Sequence, residues 1–504
     1  MKVATSSQMR EIDRVSIEEW AIPGRVLMET AGRSVAEEAD DFLAESGGQV
    51  LVLAGPGNNG GDGYVAARYL LSWGHRPVVA ALGGLSKLSG DAAAHAQLAV
   101  RCGLEVIDVA DASGLDDLAD LLAGADVLID AILGTGASGA ARGLAAHAIT
   151  FSDAAVCPVV SVDIPSGIGV DDGTLAGPAV CADVTVTFGL PKPGLFIYPA
   201  AECAGRVVVV DIGLPPPVVE AADIWLELAE ADDVAVLLPE RPPDAHKGDC
   251  GKLLVVAGSP GFTGAAALAC RGALRGGAGL VTLAIQPDLQ PVMAAKLTES
   301  MTLAVTSLDD LAERLSEFSA LAIGPGLGTS DATMRAVAKL LGGLSVPAVV
   351  DADALPAVRG LSVGAASLVL TPHPGEMARL LGGSVADVQA DRLGAARAAA
   401  ETFGAVVVLK GASTVVADPA GRAWIIPTGN PGMASGGMGD VLTGLIGALL
   451  AGGMSPAPAA VSAAYLHGLA GDMAAASMGE TGIAAGDVAE RLPLARELIV
   501  SGDE

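Results

Sequence analysis

Aromatic residues make up only 3% of the 504-residue chain, so no core here is organised around stacked rings. Val, Leu, Ile and Ala must fill it instead. Cysteine is as sparse: Cys102, Cys157, Cys181, Cys203, Cys250 and Cys270 lie scattered, with no C-x-x-C pair. That excludes the common zinc and redox signatures and offers no disulfide framework. Positive charge is also short, with 29 Lys and Arg against 58 Asp and Glu and a net charge of −29. A nucleic-acid partner is therefore excluded, because neutralising phosphates needs a basic face. Long apolar runs are missing too. The longest apolar helix candidate, Val441 to Met454, is short and interrupted by Gly, so no membrane partner is expected. The opening MKVATSSQMREIDR is polar and lacks the apolar region of a signal peptide. A reduced, cytoplasmic setting is expected.

What the chain has is Gly, 66 of them, in a sequence that is 51% hydrophobic. Its length calls for two or more domains. Short apolar runs alternate with Ala-rich helical stretches. In the first half the expected strands are Val50–Ala54, Val78–Ala81, Val127–Ile132, Val159–Asp163, Val184–Phe188 and Val207–Asp211. Strands without polar alternation are buried on both faces, which predicts an α/β fold with a parallel sheet between helices. The rhythm breaks at Pro215, Pro216 and Pro217 and again at Pro239, Pro242 and Pro243. We therefore expect one domain over 1–220 and another over 230–504. In the second the expected strands are Leu253–Ala257, Leu280–Ala284, Leu321–Ile323, Ala348–Asp351, Leu368–Leu370 and Val406–Leu409, followed by a hairpin, Thr414–Ala417 with Ala423–Ile426.

Two constellations carry chemistry. The run LVLAGPGNNGGDGYVAARYL, Leu51 to Leu70, reads as strand, Gly-rich loop and helix. Backbone amides in such a loop approach a phosphate at the positive end of a helix. It is neither the usual dinucleotide fingerprint nor a P-loop. Asp130 and Asp163 each end a strand, followed by AILGTGASG and by Ile164-Pro165-Ser166-Gly167. Ligands of open α/β sheets bind beyond the carboxyl ends of strands, so these loops should converge on one crevice. His75, His95 and His147 join no motif and are expected on helix faces or in solvent.

In the second half, TGNPGMASGGMGDVLTGLIGALL places Gly436, Gly437 and Gly439 at a helix start with Asp440 in its first turn. Amides stacked there stabilise a phosphoryl anion while the carboxylate takes a proton. Asp351 and Asp353 read as core caps and are left unassigned.

NNGGDG, DAILGTG, VDIPSG and FGLPKPG together resemble the NAD(P)H-hydrate epimerase family, across roughly Gln8 to Gly213. GMGD resembles the ribokinase-like superfamily. With HKGDCGKLLVVAGSPGFTGAA, GPGLG, DADAL, TPHPGEMARLL and VVLKGAST, it is similar to the NAD(P)H-hydrate dehydratases from roughly His246 to Leu492. Met438 stands where Ser or Ala is common, a change that leaves the backbone amides as they are. The resemblance implies a Rossmann-like three-layer domain followed by a ribokinase-like α/β domain.

It further implies an enzyme that interconverts the R and S hydrates of NADH or NADPH and dehydrates the S form at the expense of ADP or ATP. Asn58, Asn59, Gly60, Gly61 and Asp62, with Gly134, Thr135, Gly136, Ala137, Ser138, Gly139 and Ala140, would hold the first substrate's phosphates. Asp163 would be the acid/base residue, and Asn59, Asp130 and Ser166 would bind a potassium ion, as oxygen-only ligands suit a hard monovalent cation. Lys192 is either the electrostatic partner of Asp163 or the phosphates, or a surface residue of a Pro-rich turn. In the second domain Lys410, Gly411, Ala412, Ser413, Thr414 and Gly439 would contact the nucleotide. Ala265, Gly326 and His373 would line the hydrated-nicotinamide side, with Asp440 catalytic at the hydroxyl. Magnesium is expected with the nucleotide, and a homo-oligomer is expected. The rival readings are a ribokinase-like vitamin or pyrimidine kinase with an accessory domain, and a non-enzymatic nucleotide sensor. Intact polar tips at Asn59, Asp130, Asp163 and Ser166 argue against the second.

Overall fold

A computed structural model describes residues 1–361 and 368–502. The chain divides into two compact units, Lys2–Ile224 and a second beginning at Trp225. Each is α/β.

In the first unit the sheet runs, edge to edge, Glu105–Val109, Arg76–Leu82, Gln49–Ala54, Val127–Ala131, Val159–Val162, Val184–Phe188 and Arg206–Val210. All neighbours are parallel. The chain starts in the middle at Gln49, builds outward to Val109, then returns to Val127 and builds the other way. Strand order therefore reverses between Gln49–Ala54 and Val127–Ala131, and the loops leaving those two strands diverge to open a crevice at their carboxyl ends. The central strands carry Val, Leu, Ile and Ala, buried on both faces.

The Gly-rich segment corrects the reading of that run as a loop. Asn58–Ser72 is already helical from Asn58, capped by Gly57 in an extended conformation. Nor do the glycines there serve left-handed turns. A Cβ on Gly60 would lie 1.9 Å from the Gly55 carbonyl oxygen, and one on Gly63 would lie 2.7 Å from the Ala131 Cβ. The glycines let the helix start press onto the strand ends. His75 is corrected as well, whereas His95 lies on the helix Gly90–Arg101, on its inner face. Both are buried, His75 accepting from Gly48 N at 3.2 Å and meeting Asp40 Oδ1 at 2.7 Å, and His95 lying 3.3 Å from the Arg25 carbonyl. Exposed His147 pairs with Asp116.

The second unit's sheet includes, in spatial order, Leu226–Leu228, Ala423–Ile426, Thr414–Ala417, Val406–Leu409, Leu368–Leu370, Ala348–Val350, Ala320–Ile323, Lys252–Val256, Leu280–Ile285 and Met301–Ala304. Its neighbours are parallel except around the expected hairpin. Here the order reverses between Lys252–Val256 and Ala320–Ile323. Helices Thr263–Arg275 and Met438–Ala451 cover one face. They pack backbone to backbone, because a Cβ on Gly444 would lie 2.0 Å from Ala269 O and one on Gly272 2.2 Å from Val441 O. None of the described helices is long and apolar enough to cross a membrane.

If Gly60 is required for this close approach, Gly60→Ala should destabilise the first unit by about 1–3 kcal/mol, the usual cost of overpacking a tight site. Urea denaturation of the variant against wild type checks this, with Gly57→Ala as the control, since a Cβ on Gly57 meets nothing within 4 Å.

Candidate functional site

The crevice of the first unit is a cavity of about 630 Å³, of the size that small-molecule sites occupy. Pro56, Gly57, Asn58 and Asn59 line it on one side and Gly134–Ala137 on another. The helix beginning at Asn58 has no side-chain cap, so its first N–H groups face the cavity unclaimed. Gly60 and Gly61 lie behind, against Gly55 and Met28. Ser138, Gly139 and Ala140 continue the second loop beyond the cavity wall.

At the floor, the Lys192 ammonium donates to Asp163 Oδ1 at 2.5 Å, to Thr187 Oγ1 at 3.0 Å and to the Phe188 carbonyl at 3.1 Å. Lys192 is 1% exposed, which settles its two readings in favour of the Asp163 partner and against a surface turn. Asp163 itself takes a positive φ of 68°, a strained choice for a non-Gly residue, directly after its strand ends. Three further carboxyls line the same cavity, Asp91 at its outer part and Asp62 and Asp13 within. Asp62 is buried, and burial, with Asp163 and Asp13 nearby, holds its carboxyl well above the usual range. Asp13 is pushed up to about 6 by burial and by Asp163, against the opposing pull of Lys192. The Asp62 side chain thus lies in the same cavity as Asp13 and Asp163.

Asp13 was missed in the sequence, although a signal exists. Met9, Asp13 and Ile17 recur at four-residue spacing on the helix Ser6–Glu18, so they share a face, and all three line the cavity.

Asp130 is fully buried and accepts from Ser161 Oγ at 2.9 Å, Ser166 N at 2.8 Å, Ser166 Oγ at 2.6 Å and Ile132 N at 3.2 Å. Burial raises its carboxyl despite those donors. No Lys or Arg among the described residues pairs with it. Asn59 lies beneath the second loop, its Oδ1 3.0 Å from where a Cβ on Gly134 would sit, and its Nδ2 is buried without a partner.

In the second unit the helix Met438–Ala451 starts at Gly437, which is left-handed at φ 95° and supplies no side-chain cap. The expected helix start is thus observed, with Asp440 in its first turn. Beneath it, the Lys410 ammonium meets Asp351 Oδ1 at 2.7 Å and Glu376 Oε2 at 3.9 Å, and Thr443 Oγ1 donates to Asp351 Oδ2 at 2.6 Å. A Cβ on Gly439 would lie 3.3 Å from that ammonium. Asp440 is pushed up to about 6, by burial first and then by Asp351, with Lys410 opposing. Burial works against the charged Lys410, and Asp351 and Glu376 reverse it, so its ammonium is held above the ordinary value. Asp351, left unassigned as a core cap, is thus the buried counter-ion at this helix start. Asp353 accepts from Gly328 N at 2.9 Å and ties down the GPGLG turn.

Ala265 and Gly326 face each other, with a Cβ on Gly326 3.1 Å from the Ala265 Cβ. His373 caps the helix Pro374–Leu381, its Nδ1 accepting from Gly375 N at 3.0 Å, and its ring stays half exposed. The loop after Val406–Leu409 is shaped by Gly411 at φ 140° and Ser413 at φ 49°. The buried guanidinium of Arg392, lowered by burial to about 10, donates to the Leu409 and Lys410 carbonyls beneath it.

Residues 253–494 match the family model described as NAD(P)H-hydrate dehydratase, and 24–194 match that of the YjeF-related protein N-terminus. The bifunctional NAD(P)H-hydrate repair enzyme Nnr of Moorella thermoacetica is 44% identical, covering 98% of this chain and 96% of its own length. The chain belongs to the bifunctional NAD(P)H-hydrate repair enzymes. The enzyme of the same name from Escherichia coli K12 is 39% identical, over 87% of this chain and 83% of that one. Among solved structures, a ribokinase-like superfamily protein from Enterococcus faecalis is 25% identical with a TM-score of 0.50, covering 55% of this chain and 96% of that one.

Removing the ammonium should expose how much the second site depends on it. Lys410→Met leaves Asp351 buried without its cation and should cost about 3–5 kcal/mol, as broken buried pairs do. Adding Asp351→Asn should recover part of the loss, which denaturant midpoints of the single and double variants will show.

Proposed function

We propose that the first unit interconverts the R and S hydrates of NADH and NADPH, and that the second dehydrates the S hydrate with ADP or ATP. Membership of the repair family supports the pairing, and the observation that carries it is a matched arrangement in each unit. An uncapped helix start able to hold phosphate stands beside a buried Lys–Asp pair and a carboxyl displaced toward neutrality. The division of labour follows the two expected domains, 1–220 and 230–504.

In the first unit the amides from Asn58, with the loop Gly134–Ala140, bind the substrate's phosphates. That directs the hydrated ring toward Asp163, whose carboxylate Lys192 holds in place. A potassium ion fits Asn59, Asp130 and Ser166: the donors are all oxygen, and the buried Asp130 carboxylate has no cationic partner among the described residues. Such an ion would neutralise that charge and fix the three loops at one point.

In the second unit Lys410, Gly411, Ala412, Ser413 and Thr414 with Gly439 cradle the nucleotide, and Ala265, Gly326 and His373 border the hydrated ring. Asp440 takes the proton of the substrate hydroxyl as that oxygen accepts the phosphoryl group. Amides at the start of the helix Met438–Ala451 and the Lys410 ammonium stabilise the charge that builds on it. The phosphorylated oxygen then departs as phosphate while a ring proton is lost, which restores the double bond. Among the described residues no cluster of His, Cys, Asp or Glu forms a metal cage, and Asp351 is already taken by Lys410 and Thr443. Magnesium would therefore arrive with the nucleotide, held by its phosphates. The kinase reading fits the same anion hole but not the match of 253–494 to the dehydratases.

Asp163→Asn should abolish R-to-S conversion and leave dehydration of pure S hydrate intact, and Asp440→Asn should do the reverse. Loss of a general acid or base costs about 10²–10⁴ in rate. Because Asp440 must be ionised to act as base, dehydration should rise as pH climbs through about 6. Recovery of the nicotinamide absorbance from each pure epimer, with and without ADP, reads all of these. A variant with both activities unchanged contradicts its assignment.

A further inference from the structure

Two buried or half-buried carboxyls deep in the first cavity, Asp62 and Asp13, have no role in that reaction. Asp62 is 8% exposed, lines the cavity and has no hydrogen-bond partner for its carboxyl among the described residues. Asp13 reaches the cavity from a different element, the helix Ser6–Glu18, between Met9 and Ile17 on the same face. We propose that Asp13 is a second catalytic residue of the epimerase site, the proton donor that works with Asp163 on the hydrated ring. This rests on the epimerase reading of the first unit.

The chemistry requires two groups. An enamine adds water by taking a proton at its β carbon and hydroxide at the carbon next to nitrogen, so the hydrate's stereocentre bears a hydroxyl beside the ring nitrogen. To invert it, the C–O bond must break. The hydroxyl leaves as water once it receives a proton, and the nitrogen lone pair forms a C=N bond. Water then adds to the other face, the C=N electrons return to nitrogen, and the added water gives up one proton. Nothing is oxidised or reduced, and one proton enters and one leaves. Asp163, whose Oδ1 meets the Lys192 ammonium at 2.5 Å, is placed to face the transient cation and to receive the proton of the added water, so the donor is a second group. The donor must be a neutral acid in the same cavity. The charged groups facing Asp13 are Asp62 from the helix Asn58–Ser72, Asp163 and Lys192, while Arg10 and Asp91 line the outer cavity. Burial and Asp163 oppose its ionisation, and Asp62, itself shifted upward, adds no settled negative charge.

The test is equilibration of pure R hydrate by the full chain. Asp13→Asn should lower kcat about 10²-fold or more with little change in KM, while Asp13→Glu keeps part of the rate. In wild type the rate should fall as pH rises past about 6, and Asp13→Asn should lose that limb. A urea denaturation profile of the first unit like that of wild type shows that the variant is folded. Wild-type kcat and pH profile in Asp13→Asn overturn the proposal alone. Should Asp13→Asn fail to fold, a wild-type rate that is flat with pH between 5 and 8 overturns it. A wild type that does not equilibrate the epimers removes the epimerase reading beneath it as well.

A separate observation concerns the cysteines. Cys181 and Cys203, unpaired by any motif, bring their sulfurs to 2.7 Å as free thiols. Cys181 is exposed, whereas burial pushes the Cys203 thiol up to about 12. We infer that this pair is an oxidisable dithiol. The Cys181 thiolate attacks hydrogen peroxide, giving a sulfenic acid and hydroxide. The Cys203 sulfur then displaces the sulfenic oxygen as a second hydroxide, forming the disulfide, and the two thiol protons turn both hydroxides into water. Peroxide-treated protein should lose two hydrogens in mass, with the loss mapping to a peptide pair joining these residues. Cys203→Ser should instead leave a dimedone-reactive Cys181. Alkylation of both thiols after peroxide at the untreated level would overturn it.

Discussion

A lysine buried against an aspartate at the carboxyl end of a parallel strand is the interaction around which each unit's site is built. Lys192 and Asp163 form it in the first, Lys410 and Asp351 in the second. An ammonium or carboxylate removed from water on its own costs several kcal/mol, so neither partner is tolerated without the other. Once paired, they fix one negative and one positive charge in a low-dielectric pocket. Any third carboxyl brought there meets burial and a like charge together, and its proton is held. Asp13 and Asp440 are those third carboxyls, both at about 6. One arrangement thus supplies both a carboxylate held by an ammonium and a carboxyl able to exchange protons near neutral pH.

Backbone packing places the rest. The helices at Asn58 and Met438 start beside the strand ends without a side-chain cap. In the first, glycines at 55, 60 and 63 leave room where any Cβ would collide. In the second, Gly272 and Gly444 let two helices touch and hold the Met438 start over Lys410. A substrate with phosphates at one end and a reactive ring at the other is what such sites accommodate, since the anion binds the helix start and the ring meets the acids.

Much of this was legible in the sequence. Central strands such as Ala320–Ile323 and Val406–Leu409 announced themselves because both faces are buried and every residue is apolar. The strand Glu105–Val109 did not, since it lies at a sheet edge and its Glu and Asp face water. Met301–Ala304 was lost for the same reason. Motif glycines marked both helix starts, but their spacing could not say that Asn58–Gly63 was helix rather than loop, because that depends on how closely strand ends approach. Asp13 and Asp351 stayed hidden, and Lys192 was left between two readings, for one shared reason. Each acts through a partner far along the chain, Lys192 with Asp163, Asp13 with Asp62 and Asp163, Asp351 with Lys410 and Thr443, and only the sheet topology brings them together.

The central claim is that burial beside a Lys–Asp pair displaces a neighbouring carboxyl toward neutrality in each unit, against the pull of the ammonium. Carbon-13 NMR of the protein labelled at aspartate carboxyls, with Asp13→Asn and Asp440→Asn for assignment, measures it directly. Asp13 and Asp440 should both titrate near 6, well above the ordinary 3.8. Lys410→Met should drive Asp440 higher still, because the ammonium that opposes its shift is gone. Titration of both carboxyls near the ordinary value, unmoved by Lys410→Met, would contradict the account.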